Sequence, residues 1–536
     1  MKIALTFSGG GFRAAAFSLG GLSLLSRIAT GKGNLLDHIT VLSTVSGGTI
    51  TGARYALGVR KGEHFKAIYD QLYHFMSNAD LVSLALERLA ADKDWDEHRT
   101  RNLITAFADI YDRDLFGGAL FGELMIENPN SLRHISFNAT EFTNALQFRF
   151  QWSERINQPA PGEAERGMIG NKYYNISPTV AQDIRLADIM AASSCFPGGF
   201  EPVNFPDDFV LPPDKRALLG DSGYPVGLMD GGIVDNQGIE PVLLAEQRMK
   251  RNVPVGPDGS KPTQTELIIV CEVASPYMDG FQASVQHRGS GWKDISPKGI
   301  AFWNSVLLLI LVATGIWCFR NDYRVGLMAT TVGMTLSGLV FLGYRLAKSL
   351  AATAGVPSEF LQPLGKLLKL RLYIYENLIA NRFRSVMMLT MNVFLKHVRR
   401  LNYNKLYNDK AWLNRRIMNG IYELRPKERW QQKVDTGSLP VDLAPSPAIQ
   451  KNSQLASSMG TTLWFTKDEL EQQKMLDAII ACGQYTLCWN LLEYISQVKK
   501  DNTNTTDAHL ELLACESQLM VYWRQFQHDP KFLLPR

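Results

Sequence analysis

Three short segments of this chain contain residue types that together could transfer an acyl group. Ser46 stands in the run Ser-Thr-Val-Ser-Gly-Gly, Gly9, Gly10 and Gly11 follow the first apolar segment, and Asp230 opens the run Asp-Gly-Gly. A serine hydroxyl acts as a nucleophile when a nearby base accepts its proton. Backbone N–H groups stabilise the oxyanion that forms when the hydroxyl attacks a carbonyl. The sequence therefore contains a candidate nucleophile, candidate oxyanion donors and a candidate base.

The residues around Ser46 predict a sharp turn from a strand into a helix. Residues 39–43 have the apolar pattern of a buried strand, and a helix is expected from Gly47 onward. The small residues Gly47 and Gly48 permit a tight turn, which would expose the serine hydroxyl at the start of the helix. The usual G-x-S-x-G pattern has a glycine where this chain has Thr44. An ordinary Ser-Gly-Gly turn is therefore an alternative.

The glycine run after the first strand has two interpretations. Gly9, Gly11 and Ala14 match the spacing of a dinucleotide-binding fingerprint. That function needs an acidic residue at the end of the second strand, whereas Asp37 precedes this strand. An oxyanion loop is therefore favoured, with Gly10 and Gly11 as the principal N–H donors.

Asp230 is the candidate base because two glycines follow it and permit close approach to a serine hydroxyl. Asp235 is the rival candidate, although a turn or capping role suits it better. No histidine stands in a comparable motif, so a Ser–Asp dyad is favoured over a triad. Asp230 would accept the proton of Ser46 and then donate it to the leaving alkoxide. Arg13 could orient the glycine loop, attract a phosphate oxygen or form a structural salt bridge.

The elements around these motifs predict an α/β fold. Apolar segments that alternate with helical segments indicate a mostly parallel sheet covered by helices. A further helical region, 64–126, could form a cap. The predicted strands are 2–7, 39–43 and 265–273, and the first predicted helix is 14–27.

Two apolar segments in the second half of the chain predict a transmembrane hairpin over 299–345. Residues 301–319 and 325–344 are each about 20 residues long, which is enough to cross a bilayer, and only five residues separate them. A buried helical hairpin of a soluble core is the alternative. Basic residues on both flanks favour a cytoplasmic catalytic domain and a two-span membrane protein.

The remainder of the chain predicts helices that carry many basic residues. Residues 346–440 are expected to be basic and amphipathic, and they would contact anionic lipid or present a solvated face. Residues 431–458 have the composition of a loop or linker. Residues 455–536 are expected to return to the catalytic domain, with a helix over 466–497.

The composition excludes several other classes. The 536 residues are 46% apolar and 20% charged, which is an ordinary globular balance. The net charge of +4 is too small to indicate nucleic acid as a partner. The six cysteines include no CxxC pair, which fits a reducing compartment and offers no metal framework. No metal or cofactor is expected, and the N-terminal apolar run is too short for a secretion signal.

Four blocks, in this order, resemble those of the patatin-like phospholipase family and the related group IV cytosolic phospholipases A2. Residues 8–14 resemble the oxyanion loop, Ser46 matches the nucleophile and Asp230 matches the catalytic aspartate. Residues 192–202 resemble the family's Ala-Ser…Pro-x-x-Phe-x-Pro segment. Thr461 and the helix after it resemble the stretch that often closes such domains.

The resemblance implies a three-layer α/β/α sandwich over residues 1–290 and calcium-independent hydrolysis of acyl esters in lipids. The leading hypothesis is a membrane-anchored serine acyl hydrolase that acts on phospholipids or lysophospholipids of a bilayer. One alternative is an esterase or thioesterase with a soluble acyl donor. A second alternative is a non-catalytic membrane scaffold that keeps the fold.

Overall fold

The chain divides into two compact units. One consists of residues 1–277 and 394–536, and the other of residues 278–393. The computed structural model describes residues 1–153, 169–219, 226–251, 265–274, 291–321, 369–500 and 507–534, except 32, 79, 92–94, 96–98 and 127–131, together with short pieces between 323 and 342.

The strands fall into one large sheet and one small hairpin. They are β1 Ile3–Phe7, β2 Ala29–Thr30, β3 Gly33–Asn34, β4 Ile39–Val45, β5 His134–Glu141, β6 Leu146–Ser153, β7 Ile169–Gly170, β8 Asn175–Ile176, β9 Val203–Phe205, β10 Val226–Asp230, β11 Leu267–Glu272 and β12 Arg416–Gly420.

The helices of the first unit surround the large sheet, and α11 and α12 belong to the second unit. They are α1 Gly11–Leu25, α2 Gly47–Arg60, α3 Phe65–Asn78, α4 Leu81–Ala90, α5 Leu103–Tyr111, α6 Pro178–Ala181, α7 Leu186–Ser194, α8 Pro213–Ala217, α9 Gly232–Asp235, α10 Ile239–Arg251, α11 Pro297–Asn321, α12 Leu372–Met388, α13 Leu395–Tyr407, α14 Arg429–Asp435, α15 Pro447–Ser458, α16 Lys467–Glu471, α17 Met475–Lys500 and α18 Asp507–His528.

The large sheet has a parallel centre, as the sequence predicts. Its strand order is β12-β11-β1-β4-β5-β6-β7-β8. The pairs from β12 through β5 are all parallel. Beyond β5 the pairs are antiparallel, and β10 also pairs with the end of β5 in the antiparallel direction. The fold is therefore α/β with a mostly parallel central sheet.

Alternate residues of the central strands pack into separate cores on opposite faces of the sheet, because successive side chains of a strand point to opposite faces. Leu5 and Ile269 join the larger core, which includes α1, α2 and α17. Ala4 and Ile268 join the smaller core with residues of α10 and α13. This division gives the three layers of the predicted sandwich.

The C-terminal part of the chain returns to the first unit and packs closely on α1. The backbones of α1 and α17 approach so closely that a Cβ on Gly20 would lie 2.1 Å from the carbonyl oxygen of Ile480. The amino group of Met1 also pairs with Glu511 at 2.8 Å. The N-terminal and C-terminal parts therefore share one core.

The structure differs from the sequence-based prediction in the stretch after residue 393. The edge strand β12 lies inside the stretch expected to be basic helices, and it pairs in parallel with β11. The loop or linker expected over 431–458 is wrong, because α15 forms there and its Ile449 is fully buried. Asn452 of α15 donates to the hydroxyl of Tyr485 at 3.1 Å. The polar composition suggested an exposed loop, but polar side chains of α15 form hydrogen bonds with α17 instead of facing water.

The region expected to be a helical cap is helical. It contains α3, α4 and α5, and side chains of all three join the larger core. Phe75 of α3 contacts Phe12 of α1 edge to face, with ring centroids 5.8 Å apart. The helices are therefore packed on the sandwich, and a role as a cap over the site stays a prediction.

The second unit contains one helix, among the described residues, that is long and apolar enough to cross a bilayer. It covers Pro297–Trp317 with a mean hydropathy of 2.0, and 6% of it is buried. Length and composition alone are weak evidence for a membrane span. The described residues do not support the predicted pair of spans, because the second segment, 325–344, lies partly outside them. A Cβ on Gly333 would lie 3.5 Å from the Cβ of Leu311, so the two segments touch there.

Candidate active site

Strand β5 brings the candidate nucleophile and base together. Val45, the last residue of β4, pairs with Asn138 of β5. Asp230, the last residue of β10, pairs with the next residue of β5, Ala139. Ser46 directly follows Val45, so two segments that are far apart in sequence end side by side. The hydroxyl of Ser46 therefore lies near enough to the carboxyl group of Asp230 to lower the pKa of that group.

Ser46 has a backbone conformation that few residues other than glycine adopt. Its φ is 51° and its ψ is −125°, and α2 begins at the next residue. Such conformations cost on the order of 1–3 kcal/mol and occur at functional turns. A Cβ on Gly47 would lie 2.1 Å from the carbonyl oxygen of Gly11, and a Cβ on Gly48 would lie 2.7 Å from that of Ser8. The turn therefore requires both glycines.

A network of buried polar side chains holds this strained turn. The backbone N–H of Ser46 donates to Ser193 Oγ at 2.9 Å, and that hydroxyl donates to the carbonyl of Asn138 at 2.8 Å. The amide of Asn138 donates to the carbonyl of Thr44 at 2.9 Å. Thr49 Oγ1 lies 3.0 Å from Ser193 Oγ. The nucleophile is thus fixed from β5 and α7 as well as from its own strand and helix.

The carboxyl group of Asp230 is buried, and a hydrogen bond orients it. It accepts the backbone N–H of Gly232 at 2.7 Å. Burial raises the pKa of Asp230 to about 6, although Ser46 and the N–H of Gly232 oppose that rise. A carboxylate with a pKa in this range accepts a proton more readily than an ordinary aspartate, which suits a general base.

The glycine loop lies against the nucleophile, but its three N–H groups are not equivalent. The N–H of Gly9 donates to the carbonyl of Asn236 at 3.0 Å, so it is already used. No such bond engages the N–H groups of Gly10 and Gly11 among the described residues. A Cβ on Gly9 would lie 3.2 Å from the Cβ of Ser46. Gly9 thus permits close contact, whereas Gly10 and Gly11 can donate to an oxyanion.

Arg13 directly follows the glycine loop and links it to the C-terminal part of the chain. Its side chain is buried and donates to the carbonyl of Met459 at 2.5 Å and to the hydroxyl of Tyr422 at 3.3 Å. Burial lowers the pKa of Arg13, and Tyr422 opposes this effect. The segment after Met459 also touches the loop, because Phe12 donates its N–H to the carbonyl of Thr462 at 2.8 Å. This geometry fits the loop-orienting alternative for Arg13.

Asp235 lies elsewhere and has other partners. One of its carboxyl oxygens accepts the backbone N–H of Gln237 at 3.2 Å, and the other accepts that of Glu240 at 2.8 Å. It therefore closes the turn before α10 and begins that helix. Among the described residues, no group of three or more His, Cys, Asp and Glu side chains could hold a metal ion.

Sequence reasoning missed Ser193, Asn138 and Thr49 as parts of the site. Ser193 was visible only as a member of the 192–202 block, and the other two have no motif of their own. Polar residues inside a strand or helix give no signal until the fold shows what they contact. Asn236 has no sequence signal either, yet its carbonyl accepts the N–H of Gly9 in the glycine loop.

A serine on a sharp strand-to-helix turn, on a mostly parallel sheet, has the backbone geometry of the nucleophile turn in α/β-fold serine hydrolases. The model of the patatin-like phospholipase family matches residues 5–243 of this chain. That part of the chain, less than half of its length, is similar to patatin-like phospholipase domains. No curated protein matches the chain.

The solved structures that are similar to part of the chain include two of one human enzyme. Human GIVD cytosolic phospholipase A2 aligns at 13% identity with a TM-score of 0.31, over 51% of this chain and 43% of that one. The same human enzyme in complex with a methyl γ-linolenyl fluorophosphonate inhibitor and terbium chloride aligns at 15% identity with a TM-score of 0.30, over 51% and 41%. The aligned part spans less than half of those chains. TM-scores of 0.31 and 0.30 are too low for conclusions about this chain's fold or function.

Proposed function

We propose that the protein is a membrane-anchored serine acyl hydrolase that cleaves fatty-acyl esters of phospholipids or lysophospholipids. The observation that carries the proposal is that the register of β5 places Ser46 beside the buried carboxylate of Asp230. The family match supports a lipid substrate. The Ser–Asp dyad, the membrane anchor and the choice of substrate are inferences that go beyond that match.

The reaction follows from the positions of these groups. Asp230 removes the proton of the Ser46 hydroxyl while Oγ attacks the acyl carbonyl carbon. The N–H groups of Gly10 and Gly11, at the start of α1, stabilise the oxyanion. The intermediate collapses, Asp230 donates its proton to the leaving alkoxide, and an acyl ester on Ser46 remains. A water molecule then attacks this ester with Asp230 as base, the bond between the acyl carbon and Oγ breaks, Asp230 returns the proton to Oγ, and the fatty acid leaves.

Apolar surface on the second unit supports the membrane part of the proposal. Helix α11 exposes large apolar side chains along the stretch that could cross a bilayer, among them Leu309 and Ile316. Helix α12 exposes Ile379, Phe383 and Val386, whose spacing places them on one face. Anchoring would raise the local concentration of bilayer substrate at the site. A second span over 325–344 and a cytoplasmic catalytic domain belong to this proposal.

Release of fatty acid from phospholipid vesicles tests the function. We expect release by the wild type and a loss of at least about 10³-fold in Ser46→Ala and Asp230→Asn, because each lacks a group that the chemistry needs. Asp235→Asn is the matched control, since it makes the same change at a buried carboxyl group whose partners are backbone N–H groups of α10 and the turn before it. If the protein cleaves a soluble thioester but releases no fatty acid from the vesicles, the alternative of a soluble acyl donor is favoured. Equal release by Ser46→Ala and wild type would contradict the dyad.

A further inference from the structure

Asn236 lies between the two loops that carry the oxyanion donors and the base. It directly follows α9, and its side chain is half-buried. The buried side chain of Asn402, on α13, donates to the carbonyl of Val234 at 2.8 Å. This bond holds the end of α9 against α13, and so it fixes the place from which Asn236 reaches the active site.

The backbone of Asn236 anchors the oxyanion loop. Its carbonyl accepts the N–H of Gly9 at 3.0 Å. The preceding residue of the loop, Ser8, donates its N–H to the carbonyl of Cys271 in β11, also at 3.0 Å. The loop is therefore attached to the neighbouring strand on one side and to the segment after Asp230 on the other.

The side-chain amide of Asn236 occupies space that two glycines leave open. A Cβ on Gly9 would lie 2.5 Å from Asn236 Oδ1 and 3.2 Å from the Cβ of Ser46. A Cβ on Gly232 would lie 2.6 Å from the same amide oxygen and 2.9 Å from a carboxyl oxygen of Asp230. The amide is thus packed between both glycines, with the nucleophile beside one of them and the base beside the other.

The separation of these two loops decides whether the dyad can work. Strands β1 and β10, which lead into the loops, are separated in the sheet by β4 and β5, so no pairing of described strands joins the loops directly. Gly232 donates its N–H to Asp230 at 2.7 Å, so a shift of this glycine would move the base. A misplacement of about 1 Å in an active site can cost about 10²-fold in rate. The contacts of Asn236 with both loops can keep their separation constant.

We propose that Asn236 is a positioning residue of the active site, which holds the oxyanion loop at a fixed distance from Ser46 and Asp230. Asn236 acts on this dyad through Gly9 and Gly232, so its role rests on the proposed function. A carboxamide suits the place because it has the shape of a carboxylate without the charge. A carboxylate there would keep Asp230 protonated up to a higher pH.

The charge of Asp230 also reaches the thiol of Cys195, at the end of α7. Burial raises the pKa of Cys195, so this thiol stays neutral over the pH range of interest. A new charge at position 236 would therefore act on Asp230 without competition from the thiol.

The rate at which a soluble fluorophosphonate labels Ser46 in the full chain, from pH 5 to 9, tests this role. Asn236→Asp keeps the shape of the side chain, and its half-exposed carboxyl group would ionise before the buried one of Asp230. A like charge raises the pKa of a carboxyl group, so the pH at half-maximal labelling should rise by at least about half a unit. A substitution that only loosened the fold would lower the melting temperature without this shift.

Asn236→Ala tests the packing without adding a charge. It leaves space between Gly9 and Gly232, so the maximal labelling rate should fall at least about tenfold. On a soluble ester, kcat should fall by the same factor with little change in KM. Thermal melts establish that each variant is folded, and Asn236→Ala decides alone if Asn236→Asp is not.

Asn171→Asp is the matched control for the added charge. It makes the same change in the turn between β7 and β8, where the side-chain oxygen accepts the N–H of Tyr173 at 2.9 Å. We expect this variant to keep the wild-type labelling rate and pH profile, because β6 and β7 separate it from the strand that holds the dyad.

Two results would overturn the positioning role while leaving the dyad in place. One is an unchanged pH at half-maximal labelling in folded Asn236→Asp, and the other is a wild-type labelling rate in Asn236→Ala. Failure of the wild type to be labelled on Ser46 would instead overturn the proposed function, and the role of Asn236 with it.

Discussion

At the scale of single residues, Ser193 connects the nucleophile's backbone to β5. Its hydroxyl accepts the N–H of Ser46 and donates to the carbonyl of Asn138, and all of these groups are buried. We propose it as a positioning residue rather than a catalytic one, because it touches the backbone of the turn and not the reacting atoms. Its neighbour Ser194 donates to the carbonyl of Met190 in its own helix.

This difference predicts unequal effects for two adjacent substitutions. Ser193→Ala removes a hydrogen-bond partner from the N–H of Ser46, the carbonyl of Asn138 and the hydroxyl of Thr49, so it should lower the free energy of unfolding by about 1–3 kcal/mol. It should also lower kcat at least about tenfold with little change in KM, because the turn would no longer hold Oγ in place. Ser194→Ala should change neither kcat nor KM. Kinetics on a soluble ester and thermal melts of both variants check this, and equal kcat values would contradict the positioning role.

The buried carboxyl of Asp230 predicts the pH dependence of activity. A general base must be ionised in the free enzyme, and the pKa of Asp230 is raised to about 6 by burial. The value of kcat/KM on a soluble ester should therefore rise with pH and level off above about 7. Asp235→Asn should keep this profile, although the pKa of Asp235 is also raised to about 6. A flat profile from pH 5 to 8 would count against Asp230 as the base.

The raised pKa of Asp230 also predicts how the stability of the fold changes with pH. The folded pKa of Asp230 lies above the ordinary value of 3.8, so the folded protein holds a proton that the unfolded chain releases. The contribution of Asp230 to the free energy of unfolding is fully present below pH 3.8, and it is lost as the pH rises through about 6. Asp235 contributes in the same direction. Activity and this part of stability therefore change in opposite directions over one pH interval.

At the scale of elements, the contact between α1 and α17 is set by glycines. A Cβ on Gly20 would meet the backbone oxygen of Ile480 at 2.1 Å, whereas a Cβ on the adjacent Gly21 would meet only side-chain atoms at 3.6 and 3.8 Å. Gly20→Ala should therefore lower the free energy of unfolding by about 1–3 kcal/mol, because a backbone would have to move. Gly21→Ala should be neutral or stabilising. Denaturant unfolding compares them, and equal effects would contradict this packing.

The elements that the sequence predicts well are those with continuous apolar runs. The expected strands 2–7, 39–43 and 265–273 appear as β1, β4 and β11 with small shifts at their ends. Strand β12 was missed because Arg-Ile-Met-Asn-Gly has no apolar run, and only its pairing with β11 makes it a strand. The juxtaposition of Ser46 and Asp230 depends on the register of β5. That register joins segments far apart in sequence, so no local pattern could give it.

At the scale of the whole molecule, the exposed apolar surface of the second unit predicts association with membranes. The full chain should float with phospholipid vesicles in a density gradient. Leu309→Arg with Ile316→Arg should release it, because an arginine within a bilayer costs about 2.5–3.5 kcal/mol on insertion scales. Leu86→Arg, at another exposed apolar position on α4, is the control and should not release it. Flotation of the double variant would contradict anchoring by α11.

The central claim is that Ser46 is the nucleophile that Asp230 activates. The most direct test is to react the full chain with a fluorophosphonate and locate the adduct by mass spectrometry of its peptides. We predict one phosphonyl adduct on Ser46, no adduct in Ser46→Ala, and labelling of Asp230→Asn slowed at least about 10²-fold. An adduct on another serine, or labelling of Asp230→Asn at the wild-type rate, would contradict the account.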